Sequence, residues 1–113
     1  MSGKREKPQL EPILATPYAA ALFSQLQRAS SSVQLNIAEG SAYGASRTFN
    51  RHLSIAYGSA VETGELLEVA SDAKIVETEI VSYLLQRNRR SQRLLLRKLR
   101  RARSEPAYRS RLS

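Results

Sequence analysis

Cysteine is absent from this 113-residue sequence, which excludes disulfides and thiolate metal sites. Proline is scarce. Pro8, Pro12 and Pro17 lie near the start, and nothing between Pro17 and Pro106 breaks a helix outright. No apolar run approaches the roughly 20 residues that span a bilayer. The opening MSGKREKPQL has charge but no apolar stretch of the kind a signal peptide needs. These absences predict a cytoplasmic protein without a membrane partner. The length allows one small domain with one modest core.

Acids are missing from one part of the chain. From Arg87 to Arg111 there are eleven Arg or Lys residues against the single acid Glu105. The other seven basic residues face nine acids, so the rest of the chain is near neutral and the net charge of +8 sits at the C-terminal end. Such asymmetry points to a polyanionic partner, RNA or DNA before others.

What is present is helical periodicity. Residues 1–15 are polar, carry two prolines and lack a period, and read as a flexible leader. Thr16-Pro17 has the form of an N-cap followed by proline in the first turn. Tyr18, Leu22, Leu26, Ala29, Val33, Ile37 and Gly40 then follow at steps of 4, 4, 3, 4, 4 and 3, one face of a helix ending near Gly40 or Ser41. SAYGAS is a turn, with Ser46 as the next N-cap. Phe49, Leu53, Ala56, Ala60, Gly64, Leu67 and Ala70 form a second stripe, and Gly58, Ala60 and Gly64 would let another helix approach closely. SDAKI, at 71–75, is a short connection.

A third helix is predicted from about Val76 to Arg103, with Ile80, Leu84, Ser91, Leu95, Leu99 and Ala102 as its stripe and Asn88 in the middle. After Glu105-Pro106, residues 105–113 read as a basic disordered tail. Residues 16–104 are therefore an all-α, antiparallel up-down bundle. Tyr57, Val61, Val69, Val81 and Leu85 lie off the main stripes. They widen the apolar faces and ask for a fourth helix or a neighbouring subunit.

NIAEG at 36–40, followed by Ser46, Phe49, Leu53, Ile55-Ala56, Gly58-Ser59 and Glu62, carries a resemblance. Together with Arg28-Ala29 and Ser32-Val33, these residues resemble the bacterial four-helix bundle family encoded by intervening sequences within 23S ribosomal RNA genes. The likeness spans roughly residues 22 to 85. More distantly, the chain is similar to accessory proteins of diversity-generating retroelements, which bind RNA and a reverse transcriptase. The resemblance implies four helices and ring-like homo-oligomers, with pentamers the expected form. In this sequence the family's first helix is short or missing.

The resemblance also marks a structural motif of Arg28, Asn36, Glu39, Gly40, Gly58, Ser59 and Glu62. Asn36 and Glu39 share a helix face, and Ser59 and Glu62 repeat their spacing on the next helix. The four suggest a buried polar network, with Arg28 a candidate ion-pair partner for Glu62. Alternatively, Asn36 and Glu39 cap the turn from Gly40 to Gly44. No phosphate-cradling loop or nucleophile elbow occurs, and His52, the only histidine, reads as surface or interface. No enzyme, metal or cofactor is expected. Arg90, Arg93, Arg97, Arg100 and Arg101 line one side of the third helix and are the expected nucleic-acid contacts. Tyr108, among arginines, is a candidate for stacking on an unpaired base. The rival reading is an adaptor that binds a protein partner, such as a reverse transcriptase, without touching nucleic acid. A third is a small-ligand or catalytic bundle using Asn36, Glu39 and Glu62.

Overall fold

A computed structural model describes residues 16–44 and 46–104. The leader, the tail and Tyr108 lie outside the described residues. Three helices follow one another: α1, Pro17–Gly40; α2, Arg47–Asp72; and α3, Thr78–Ser104. A single 3-10 turn, Ser41–Tyr43, follows α1. Among the described residues there is no strand, and no helix long and apolar enough to cross a membrane.

Both N-caps form as their residue types dictate. The Thr16 hydroxyl accepts a hydrogen bond from the Ala19 amide at 3.1 Å, and the Ser46 hydroxyl accepts one from Phe49 at 3.1 Å. Each satisfies a donor that has no partner within its own helix. The start of α3 suits Glu79 and its end suits Arg101 and Arg103, because these charges oppose the helix dipole.

The connection after α2 is tighter than its sequence suggests. The Ile75 amide donates to the Ala70 carbonyl at 2.9 Å, and the Lys74 amide to the Ser71 carbonyl at 3.0 Å. This pair of bonds is a Schellman cap, and it places Lys74 at φ 57°. A side chain is disfavoured there by about 1–2 kcal/mol, because its Cβ crowds the following carbonyl. Lys74→Gly is therefore expected to stabilise the fold by about 1 kcal/mol, read as a higher denaturant midpoint. An unchanged midpoint would mean the cap does not form in solution.

The helices run antiparallel. Leu53 and its neighbours on α2 meet Leu95 and Leu99 of α3, while Ala19 and Leu22 of α1 meet Ala70 at the other end of α2. Two apolar clusters result. One holds Leu53, Ala56, Ala60, Leu95 and Leu99; the other holds Ala19, Leu22, Ala70 and Ile75. The α2 stripe packs inward as its spacing predicts, from half-buried Phe49 through fully buried Leu53 to Ala70.

Two stripes differ from expectation. On α3, Ile80 and Leu84 are 48% and 39% exposed, and Ser91 is exposed too. The inward line is Val81, Leu85, Asn88, Gln92, Leu95, Leu99 and Ala102, at unbroken steps of 4, 3, 4, 3, 4 and 3. Following apolarity alone turned the first half of the helix by one residue. Asn88 sets the true rotation, because its amide bonds to α2. On α1, Tyr18 and Ile37 face outward and Ala19 takes the inner place, since small side chains let α1 approach α2.

α2 packs against α1 along one edge and α3 along the other, whereas α1 and α3 hardly touch. The arrangement is an open arc around α2. A fourth helix is not among the described residues.

Candidate nucleic-acid interface and the polar junctions behind it

Two polar junctions fix how the helices meet, one between α1 and α2 and one between α2 and α3. At the α1–α2 junction, the Asn36 side-chain amide donates to the Ser32 carbonyl at 2.9 Å and to the Ser32 hydroxyl at 3.1 Å. Its carbonyl oxygen is thereby turned toward α2, where it lies 2.9 Å from His52 Nδ1. Nδ1 must carry the hydrogen, because the amide oxygen can only accept. Ser59 donates to the Ser32 hydroxyl at 2.8 Å, so Ser59, Ser32, Asn36 and His52 form one chain of hydrogen bonds across two helices. Glu39 stands 4.0 Å from His52 Nδ1, and the Tyr43 ring stacks on the imidazole at 5.8 Å.

Gly40 is explained by the same contact. A methyl group there would stand 2.6 Å from His52 Cβ, closer than carbon atoms can lie. Its φ of −66° is ordinary, so the constraint is space alone. Asn36, Glu39 and Gly40 thus receive His52.

The α2–α3 junction uses the second close approach. The Asn88 amide donates to the Ala60 carbonyl at 3.0 Å, and Gln92 donates to the Asn88 oxygen at 2.6 Å. The Ala60 carbonyl belongs to the backbone of α2, and Asn88 reaches it because Gly64 carries no side chain. A methyl group at Gly64 would stand 2.8 Å from the Asn88 oxygen. Polar bonds that cross between helices favour one register over its neighbours.

Several expectations change here. Arg28 does not pair with Glu62; its guanidinium donates to Ser24 on its own helix at 3.0 Å, and Glu62 is exposed on α2. Asn36 bonds back along α1 rather than capping the turn. Gly58 is not a point of close approach among the described residues, since a methyl group there meets none of them within 4 Å. His52, expected at the surface or an interface, lies at the junction of α1 and α2 with its side chain 21% exposed. Its role was hidden because sequence position gives no partner. Once the turn is centred on Gly44, however, antiparallel pairing sets position 52 opposite position 36.

Arg90, Arg93, Arg97, Arg100 and Arg101 are all exposed on α3, and Arg97 and Arg101 also border the space over Leu53 and Leu95. Arg89 points elsewhere, 3.6 Å from Glu68 of α2. One turn before Arg90, the Arg87 guanidinium lies over the exposed Tyr83 ring, 5.6 Å from its centroid. The face therefore combines closely spaced cations with one aromatic surface. Among the described residues no group of three His, Cys, Asp or Glu comes together to hold a metal.

These features define an all-α protein whose helices are registered by crossed polar bonds and whose last helix turns its arginines outward. The profile of the 23S rRNA-intervening sequence protein family matches residues 16–97, and the chain belongs to that family. Comparison with curated proteins and with solved structures gives no match.

Proposed function

We infer that the chain is a non-enzymatic helical bundle that self-associates into a ring and binds RNA through the outward face of α3. The observation that carries the RNA reading is the five exposed arginines on one side of a helix whose only acid is Glu79. Exposed guanidinium groups gain affinity by contacting phosphates and releasing counterions, and they read little sequence. Tyr83 and Arg87 add a surface on which an unpaired base can stack. The family's name, tied to 23S rRNA, favours RNA over DNA. Self-association is supported by the open arc of helices and by the apolar side chains left exposed on α1 and α3. A ring would repeat the arginine face and multiply weak contacts.

The test is competition. A labelled single-stranded RNA is bound at 50 mM salt, then challenged with unlabelled RNA or with polyglutamate of equal charge. RNA should compete well and polyglutamate poorly, because bases as well as charge contribute. Equal competition would shift the reading to an acidic protein partner, the adaptor role.

A further inference from the structure

The open arc leaves a groove of about 490 Å³ over α2. Val33 and Ile37 of α1 form one wall, Phe49 and Leu53 of α2 the floor, and Leu94 and Leu95 of α3 the other wall. Arg97, Lys98 and Arg101 stand at its α3 edge, and among the described residues no carboxylate lines it. Ile37 and Leu94 remain substantially exposed within the chain. An apolar trough with a cationic edge asks for an occupant that is apolar along one line and acidic beside it.

The chain itself carries such a surface. Ile55, Gly58, Glu62, Glu65, Val69 and Asp72 follow one another on α2 at steps of 3, 4, 3, 4 and 3, and all are exposed. From Leu53 to Ala73 there are four acids and no Lys or Arg. Arg51, one turn before Ile55, closes the end of the stripe. Gly58 is the second observation. A glycine inside a helix costs about 0.5–1 kcal/mol relative to alanine, and no contact among the described residues compensates for it. The absent side chain makes sense where another molecule's helix comes close.

We propose that a second copy of this chain seats the outer face of α2 in the groove. Ile55 and Val69 cover the apolar walls, Glu62 and Glu65 meet Lys98 and Arg101, and Gly58 lets the helices close. The contact joins two different faces, so each copy keeps one groove and one acidic face for further neighbours. Head-to-tail contacts of this kind propagate until a ring closes. The proposal rests on the self-association inferred above and names the faces that make it.

The experiment is light scattering of the full chain without RNA, with circular dichroism to check helicity. Two charge-reversed variants are made: Glu62→Lys with Glu65→Lys, and Lys98→Glu with Arg101→Glu. Each alone should fall from the parent's assembled mass to the single-chain 12.6 kDa while keeping its helicity. Combining all four changes in one chain should restore assembly. If both variants assemble like the parent, other faces make the contact and the proposal is overturned while self-association stands. Loss without restoration, or loss accompanied by unfolding, also overturns the pairing. A parent that is monomeric removes both the proposal and the self-association. RNA binding is judged apart on Arg90, Arg93 and Arg100, which lie outside the groove, whereas Arg97 and Arg101 line it.

Discussion

Replacing Gly40 with alanine is expected to destabilise the fold by about 2 kcal/mol: about 2 from overpacking and about 1 from a weakened hydrogen bond, less about 1 for the better helix propensity of alanine. The added methyl would stand 2.6 Å from His52 Cβ, an atom that cannot rotate away because it is bonded directly to the backbone of α2. The helices must therefore separate by about 1 Å to restore ordinary contact. Separation stretches the 2.9 Å bond between Asn36 and His52 beyond hydrogen-bonding range. Phe49, 3.4 Å from the same methyl, blocks the sideways escape. A small domain has only about 5–15 kcal/mol in hand, so the variant should unfold at a clearly lower urea concentration. If it unfolds with the parent, α1 and α2 do not meet at this distance in solution.

Replacing Arg90, Arg93 and Arg100 together with alanine should weaken RNA binding about 500-fold at 50 mM salt. Each phosphate contact with single-stranded RNA contributes about 0.7 to the salt slope, and extrapolation to 1 M, where that contribution vanishes, gives about 0.9 decades per arginine. The three are exposed and face away from α2, so helicity and thermal midpoint should hardly move. Loss of binding with an intact fold places the RNA on this face. Binding equal to the parent's would move the contact to other cations, with Arg47, Arg51 and Lys74 the next to replace.

Much of this architecture is legible in the sequence because the signals are local. Thr16-Pro17 and Ser46 each act within their own first turn, so their residue types alone locate two helix starts. The α2 stripe is legible because it is apolar or small at every step. The α3 stripe was not, because its inward line carries Asn88 and Gln92, and a search for apolar residues prefers Ile80 and Leu84. Those two face outward as a consequence of a polar bond between helices, which no single-helix pattern contains. The NIAEG motif shows the same division. Its spacing says that Asn36 and Glu39 share a face, but their partner His52 lies on another helix. Arg28 and Glu62 show the converse, since opposite charges at a plausible register did not come together. Exposed arginines need no partner to be recognised, so the candidate interface could be located from spacing and charge alone.

The measurement that bears most directly on the central claim is the salt dependence of RNA binding by the unaltered protein. Labelled single-stranded RNA would be titrated with the chain at several salt concentrations between 50 and 300 mM. Engagement of Arg90, Arg93, Arg97 and Arg100, the arginines not taken by the contact between copies, predicts a slope of log affinity against log salt of about −2.8 or steeper. A slope near zero, or no binding at the lowest salt, would contradict the account and leave the arginines of α3 as a solvated surface.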